Sequence, residues 1–378
     1  MFTTAHKIFT HDSRDMKHLD DHSIDLVITS PPYPMIEMWD NQFCSIDPSI
    51  KDYLNAADGP KAFELMHRIL DDVWAELFRV MKNGAFACVN IGDAVRTINS
   101  KFQLYPNHSR IQGKFVEIGF DVLPLILWRK QTNAPNKFMG SGMLPAGAYV
   151  TLEHEYILIF RKGGKREFKT AAQKEKRMQS SFFWEERNTW FSDLWDLKGA
   201  RQDTNNRNMR KRSAAFPLML PFRLINMYSL SGDAVLDPFM GTGTTILAAI
   251  AAARNSIGFE LESSFSQYLC EIIQEDISAL RKVNVDRIKD HLDFISRCKD
   301  RGQELKHLNS YFGFPVMTAQ EKELKLSFVK EIDELQSNLF QASYFDDAYI
   351  KSIRPEEMSL DSFDPESFIQ NTIAFEPE

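Results

Sequence analysis

The sequence lacks any run of about 18 apolar residues, so no membrane-spanning helix is expected. Its N-terminus, MFTTAHKIFTHDSRD, lacks a basic start followed by an apolar stretch, which argues against a signal peptide. The four cysteines are scattered, without the close pairing of a zinc site or the density of a disulfide scaffold. These absences indicate a cytoplasmic protein with reduced thiols and no metal site.

An excess of basic residues is also missing, because the net charge is −7. The charge is nevertheless uneven along the chain. Residues 161–212 contain 15 Lys and Arg against 7 Asp and Glu, whereas residues 303–378 contain 6 against 15. A basic middle and an acidic tail fit a polyanion-binding region inside an acidic protein, although a charge run alone is more typical of a solvated loop.

Hydrophobic periodicity indicates an α/β fold. Short apolar runs predict strands at 23–29 and 85–91, and the amphipathic stretch 61–81 between them predicts a long helix. A strand, a helix and a strand at this spacing imply a parallel sheet with a crossover connection. Further strands are expected at 119–130, 154–160, 234–236 and 256–259, and further helices at 216–230, 246–253 and 264–282. In the helix at 216–230, Pro221 must begin or kink the helix. Beyond residue 283 the pattern favours charged helical segments with little strand character.

The strand at 23–29 leaves its sheet through an unusual sequence, Ser30-Pro31-Pro32-Tyr33. Proline fixes φ and donates no hydrogen bond, so this exit is stiff and its carbonyls are left without the usual partners. Such a turn is costly unless something binds there. The tetrapeptide alone would more often be a plain proline-rich turn.

A second motif, VLDPFMGTGTT at 235–245, is typical of a strand, a glycine turn and a helix start. Gly241 and Gly243 allow positive φ and a close approach to a ligand. Glu260, at the end of the next strand, can accept hydrogen bonds from the hydroxyls of a ribose. No lysine follows the glycines as in a P-loop, and Ile246 replaces the third glycine of a dinucleotide site. A ligand with ribose but no phosphate fits better, which favours S-adenosylmethionine.

Together the two motifs resemble those of the DNA amino-methyltransferases. TSPPY is similar to their catalytic motif and DPFMGTGTT to their cofactor motif, and their order is that of the permuted beta class. The resemblance covers residues 8–160 and 190–282. It implies a doubly wound, mostly parallel, seven-stranded Rossmann-like sheet with helical additions. The implied divisions are a catalytic half at 1–160, a target-recognition segment at 161–212, a cofactor half at 213–283 and a helical extension at 284–378.

The resemblance also implies roles for individual residues. Ser30 at the first motif position is usual for enzymes acting on the N4 amino group of cytosine, whereas Asp or Asn is usual for those acting on adenine N6. Ser30 and the carbonyl of Pro31 would accept hydrogen bonds from the target amine, Pro32 would stiffen the loop, and Tyr33 would stack on the base. The expected cofactor-binding residues are Asp12, Asp237, Phe239, Gly241, Gly243, Thr244 and Glu260. Asp12 could equally be a turn residue, and Phe239 could be core packing. Glu155, beside His154, is expected to be structural.

The basic segment at 161–212 is the expected DNA-binding region. Its candidate contacts are Arg201, Asn205, Asn206, Arg207, Arg210, Lys211 and Arg212. The resemblance implies double-stranded DNA as the substrate, base flipping, and a cognate restriction endonuclease acting on the same site, while a homodimer stays open. Two alternatives remain: the same enzyme acting on adenine N6, and an inactive nucleic-acid-binding protein with this fold.

Overall fold

The computed structural model describes residues 2–130, 139–198, 216–273 and 277–348. The strands are β1 Thr3–Thr10, β2 Ile24–Thr29, β3 Met81–Ile91, β4 Ala94–Ile98, β5 Lys101–Tyr105, β6 Phe120–Arg129, β7 Met139–Gly140, β8 Ala148–Tyr149, β9 His154–Lys162, β10 Leu194–Trp195, β11 Ala234–Asp237, β12 Asn255–Glu260, β13 His307–Leu308, β14 Pro315–Val316, β15 Val329–Gln336 and β16 Leu339–Tyr344. The helices are α1 Asp40–Ile46, α2 Ser49–Asn55, α3 Gly59–Val80, α4 Asn107–Ile118, α5 Ala171–Gln179, α6 Trp184–Trp190, α7 Met219–Tyr228, α8 Thr244–Ala251, α9 Ser263–Ile272 and α10 Ile277–Asp300.

A large sheet with helices on both faces forms the centre of the molecule. Its strand order is β10-β6-β9-β3-β2-β11-β12-β1-β16-β15. The strands from β3 to β1 run parallel, whereas β9 and the β15–β16 hairpin are antiparallel to their neighbours. Helices α3 and α4 cover one face, and α7, α8 and α10 cover the other. The expected doubly wound, mostly parallel fold is confirmed, and the sheet of the described residues has ten strands where seven were expected.

The long helix α3 shows why the periodic segments were predictable. Its apolar residues recur at spacings of three and four, and those that face the core are fully buried: Ala62, Met66, Leu70, Val73, Trp74 and Leu77. The Asp58 side chain accepts a hydrogen bond from the Lys61 amide and caps the helix start. At the other end the chain passes directly into β3 at Met81. The predicted helix and both flanking strands are therefore confirmed, with boundaries shifted by a few residues.

The C-terminal region contradicts the expectation of a helical extension with little strand character. Helix α10 is present, but residues 307–344 form four strands, and the β15–β16 hairpin adds to the β1 edge of the sheet. Strand β15 is an outermost strand whose buried apolar residues, Val329 and Ile332, lie three apart because of a bulge after Val329. That spacing resembles a helix, which is why the pattern was misread. Likewise, the helix expected at 264–282 is replaced by α9 and α10.

The chain reverses its direction of winding between β2 and β11. From β2 it crosses through α3 to β3 on one side, and from β11 it crosses through α8 to β12 on the other. The connections therefore diverge and leave a crevice at the carboxyl ends of β2 and β11, which is where open α/β sheets bind ligands. Ser30 follows β2 at this point, and the glycine turn follows β11.

A buried carboxylate joins the two strand ends at the crevice. Asp237 is 2% exposed. It accepts hydrogen bonds from the Thr29 hydroxyl at 2.7 Å, from the Thr245 hydroxyl at 2.6 Å and from the Phe239 amide at 3.0 Å. Burial raises the pKa of Asp237 to about 6, against the lowering effect of these hydrogen bonds.

This raised pKa predicts a specific pH dependence of stability. The folded state favours the protonated carboxyl, so stability is present at low pH and is lost as pH rises through about 6. Between about pH 5 and about pH 8, ionisation of this group should lower the free energy of unfolding of the wild type by about 1 kcal/mol. In Asp237→Asn the side-chain oxygen can still accept from the Thr29 hydroxyl and from the Phe239 backbone N–H. The side-chain N–H2 group then faces the Thr245 hydroxyl, which can accept a hydrogen bond. The variant should lack this pH-dependent loss in urea unfolding.

Asp20→Asn is the matched control, because Asp20 is exposed. It should retain the pH dependence of the wild type. Identical pH dependence in the wild type and Asp237→Asn would contradict the assignment.

Candidate active site

A cavity of about 570 Å³ lies at the carboxyl ends of β2, β11 and β12. Its lining comes from residues 11–14 after β1, 30–32 after β2, 237–242 and 244 after β11, and 259–262 at the end of β12. Residues of α1 and α3 close its side. The volume is within the range of cofactor and small-ligand sites. The two motifs, separated by about 200 residues in sequence, thus line one cavity.

The glycine turn shapes one part of this cavity. Gly241 and Gly243 have φ values of +53° and +82°, as their residue type predicted. A Cβ on Gly243 would lie 2.4 Å from Leu269 of α9, so that glycine is required for packing and does not line the cavity. A Cβ on Gly241 would meet no atom within 4 Å, which leaves that backbone open to a ligand. Thr244 lines the cavity as the first residue of α8.

Glu260 lies at the end of β12, where an acidic side chain was expected. Its two carboxylate oxygens accept hydrogen bonds from the Gly241 and Glu262 amides, both at 2.9 Å. Burial raises its pKa, while the backbone hydrogen bonds act in the opposite direction. Each carboxylate oxygen has more than one lone pair, so acceptor capacity toward the cavity remains. The arrangement fits a ribose hydroxyl pair.

Asp12 and Phe239 each combine the two roles that the sequence left open. Asp12 lines the cavity but also accepts a hydrogen bond from the Arg14 amide at 2.9 Å and pairs with its guanidinium at 2.7 Å. Burial alone would raise the pKa of Asp12, but the hydrogen bonds and charge of Arg14 outweigh it and lower the pKa. Phe239 lines the cavity while its ring meets Trp74 edge-on, with centroids 6.0 Å apart. Asp12 therefore both lines the cavity and holds a turn, and Phe239 both lines the cavity and packs against the core.

The Ser30–Tyr33 loop contributes a further part of the cavity lining. Ser30, Pro31 and Pro32 line the cavity, and both prolines are buried. Tyr33 does not line the cavity, because its ring points into the fold and is 8% exposed. Gly92 packs so closely that a Cβ there would lie 3.0 Å from the Tyr33 ring. The ring therefore exposes little surface to a base in this arrangement, and its stacking on a base stays a prediction.

Polar side chains from neighbouring strands surround the Tyr33 hydroxyl. It lies 3.1 Å from Ser30 Oγ, donates to Glu155 Oε2 at 3.0 Å and accepts from Asn90 Nδ2 at 2.9 Å. Lys130 donates to the other Glu155 oxygen. Sequence reasoning missed Asn90 and Lys130 and assigned Glu155 only a structural role. The one available signal was position, since β9 begins at the same edge of the sheet at which β2 ends.

The described part of the basic segment is packed onto the fold. Trp190 and Trp195 are buried, and Glu186 of α6 pairs with buried Arg287 of α10 at 2.6 Å. Arg166 pairs with Asp233 at 2.5 Å, so its charge is engaged in an ion pair within the fold. The candidate DNA contacts lie outside the described residues: Arg201, Asn205, Asn206, Arg207, Arg210, Lys211 and Arg212.

Two features are absent from the described part of the chain. Within it, no helix is long and apolar enough to cross a membrane. The same residues include no group of three or more His, Cys, Asp or Glu side chains placed to hold a metal ion.

Comparisons with known proteins agree with this site. A family model described as DNA methylase matches residues 24–275. Type II methyltransferase M.MthZI of Methanothermobacter thermautotrophicus is 49% identical over 343 residues, which cover 90% of this chain and 95% of the relative. Type II methyltransferase M.MjaI of Methanocaldococcus jannaschii is 47% identical over 307 residues, covering 78% of this chain and 98% of the relative.

A solved structure is similar as well. The DNA modification methylase TTHA0409 of Thermus thermophilus, described as putative and solved in complex with S-adenosyl-L-methionine, has a TM-score of 0.56 and 30% identity, covering 72% of this chain and 94% of that one. Its ligand is the cofactor that the glycine turn and Glu260 predicted. With a family model spanning most of the chain and two relatives near half identity, the chain belongs to the DNA methylase family.

Proposed function

We propose that this chain is a Type II, beta-class DNA methyltransferase that transfers a methyl group from S-adenosylmethionine to the N4 amino group of cytosine in a short duplex site. One observation carries the proposal: Ser30 and the turn that contains Gly241 line the same cavity. The names of M.MthZI and M.MjaI support the Type II assignment and a role beside a restriction endonuclease. The serine at position 30 supports cytosine over adenine.

The cavity fits S-adenosylmethionine by its chemistry. Glu260 offers carboxylate oxygens for ribose hydroxyls, and the Gly241 backbone allows close approach. Phe239, Phe259 and Phe265 supply apolar wall for an adenine ring. When bound, the cofactor supplies an electrophilic methyl group. Asp237 acts here as a positioning residue, because its carboxylate is used by Thr29, Thr245 and the Phe239 amide.

The Ser30 side of the cavity would prepare the target amine. An exocyclic amino group is a poor nucleophile because its lone pair is conjugated with the ring. If Ser30 Oγ and the Pro31 carbonyl accept its two N–H groups, a pyramidal nitrogen with a free lone pair is favoured. Pro31 and Pro32 hold these acceptors still, so positioning contributes much of the acceleration. Because the amine is buried in a duplex, the base must be flipped into the cavity.

The remaining divisions of the chain are part of the same proposal. Residues 1–160 and 213–283 would form the catalytic and cofactor halves, and 161–212 would carry target recognition. Binding through Lys and Arg side chains to phosphates would make DNA affinity fall with salt. The acidic residues of 303–378 should avoid the DNA backbone.

The identity of the methylated base is the first test. The chain should be expressed in a host that lacks such modification, and its DNA digested to nucleosides and separated. We expect 4-methylcytosine. Finding 6-methyladenine would support the adenine alternative, and finding neither base would favour an inactive DNA-binding protein.

Replacing Ser30 tests its role in the chemical step. Ser30→Ala should lower the turnover number about 100-fold, since one fixed hydrogen-bond acceptor for the transition state is lost. The dissociation constant for S-adenosylmethionine, measured by calorimetry, should change less than about twofold, because Ser30 follows β2 whereas the residues expected to bind the cofactor lie at the ends of β1, β11 and β12. Ser109→Ala, at an exposed position of α4, is the control and should behave as the wild type. Equal losses in turnover and cofactor affinity would contradict the assignment.

Replacing Glu260 should give the opposite pattern. In Glu260→Gln the side-chain nitrogen must face one of the two backbone N–H groups that now donate to the carboxylate, so two donors oppose each other. The ribose also loses a charged acceptor. The dissociation constant for S-adenosylmethionine should rise about 10- to 100-fold by calorimetry. Glu271→Gln, at an exposed position of α9, should leave it unchanged. An unaltered affinity of Glu260→Gln for S-adenosylmethionine would contradict the assignment of Glu260 to the cofactor site.

A further inference from the structure

Behind Ser30, away from the cavity, lies a polar cluster formed by buried Tyr33 and Asn90 together with partly exposed Glu155 and Lys130. Asn90, 2% exposed, donates to Glu155 Oε2 at 2.8 Å and to the Tyr33 hydroxyl at 2.9 Å. Tyr33 donates to the same Glu155 oxygen at 3.0 Å. The Lys130 ammonium pairs with the second carboxylate oxygen.

The cluster meets the proposed catalytic residue chiefly through Tyr33. The Tyr33 hydroxyl lies 3.1 Å from Ser30 Oγ. The Asn90 amide nitrogen lies 3.5 Å from the same oxygen, a distance at which a hydrogen bond is weak. The Asn90 amide protons have closer acceptors in Tyr33 and Glu155, so the contact between Ser30 and Tyr33 is the one that orients the Ser30 hydroxyl.

The number of protons in this cluster determines the direction of its hydrogen bonds. Glu155 is paired with an ammonium, and an ionised carboxylate can only accept. Tyr33 has a single proton, and burial together with the charge of Glu155 raises its pKa well above the usual value, so it keeps that proton. A bond to a carboxylate is about twice as strong as one to a neutral hydroxyl. The Tyr33 proton therefore belongs to Glu155 and not to Ser30.

Since Tyr33 has no second proton, a hydrogen bond between Ser30 and Tyr33 must run from the Ser30 hydroxyl to the Tyr33 oxygen. The Ser30 proton then points away from the cavity, and lone-pair density of Oγ is left facing it. We infer that Glu155 is a positioning residue that, acting through Tyr33, keeps Ser30 a hydrogen-bond acceptor toward the target amino group. This inference rests on the proposed function and adds Glu155, Tyr33 and Lys130 to its machinery.

A neutral amide at position 155 would reverse this order. Glutamine has a single acceptor oxygen, and the Lys130 ammonium attracts it, so the amide N–H2 group faces Tyr33 and donates to its oxygen. The Tyr33 proton then turns to Ser30 Oγ and occupies one of its lone pairs. The Ser30 proton would then point into the cavity, toward the N–H groups of the target amine. A donor facing a donor cannot hold the amine, so the chemical step should slow although no residue that lines the cavity has changed.

Glu155→Gln is the direct test, because it changes the charge and keeps nearly the same shape. Methyl transfer is measured with tritiated S-adenosylmethionine and unmodified bacterial genomic DNA. We expect turnover to fall about 10- to 100-fold, while the calorimetric dissociation constant for S-adenosylmethionine changes less than about twofold. Glu153→Gln is the matched control: the Glu153 side chain is 41% exposed and pairs with Arg129 outside the cluster, so its loss should leave turnover unchanged.

A double-variant cycle separates action through Tyr33 from a general effect on the fold. Tyr33→Phe should lower turnover about tenfold, because Ser30 loses the acceptor that directs its proton. Adding Glu155→Gln to Tyr33→Phe should then lower turnover no further. Thermal unfolding of each variant shows whether it is folded, and Tyr33→Phe tests the inference even if Glu155→Gln is unstable.

The outcomes distinguish this inference from the proposal on which it rests. Wild-type turnover in Glu155→Gln or in Tyr33→Phe would overturn the inference. A double variant whose loss of turnover equals the product of the two single losses would overturn it as well. If the wild-type protein itself transfers no methyl group to DNA, the proposed function fails and the inference falls with it.

Discussion

The site depends on one buried carboxylate that holds two diverging strands together at their ends. The paired residues of β2 and β11 stop at Val27 and Leu236, and beyond them the connections run to opposite sides of the sheet. Asp237 spans this gap, because it binds the Thr29 hydroxyl at the end of β2 and the Thr245 hydroxyl at the start of α8. The bridge fixes the Ser30–Tyr33 loop against the glycine turn. Burial disfavours the ionised form of Asp237 and raises its pKa, and its three hydrogen bonds act in the opposite direction.

Those parts of the fold that depend on local chemistry could be predicted from the sequence. The strand before Ser30 is a short, fully buried apolar run, and helix α3 buries a pattern with a period near 3.6 residues; both are visible without a structure. Gly241 and Gly243 sit at positive φ, which few other residues tolerate. Pro221 lies in the first turn of α7, where its missing N–H costs nothing. In each case neighbours in sequence are sufficient to decide the local structure.

What could not be predicted depends on neighbours that are distant in sequence. Strand β15 exists because β16 and β1 offer it an edge, and its charged residues face solvent there, so its own pattern carries little information. The cluster behind Ser30 joins β2, β3, β9 and the end of β6. No sequence spacing predicts that Asn90 and Glu155 are in contact. Tyr33 shows the same limit: its motif predicted a role for its ring, and nothing in the sequence predicted the contacts of its hydroxyl.

The two prolines explain why such a distant cluster is needed at all. Pro31 and Pro32 have no N–H group, so the backbone next to Ser30 cannot donate to its hydroxyl and take up its lone pairs. That keeps Ser30 free to accept from a substrate, but it also leaves the hydroxyl without a local partner to orient it. The orientation must then come from side chains on adjacent strands, and Tyr33 is the member of the loop that reaches them. The two prolines and the Glu155 carboxylate therefore complement each other: the prolines present no N–H group to the Ser30 oxygen, and the carboxylate, acting through Tyr33, orients the Ser30 proton.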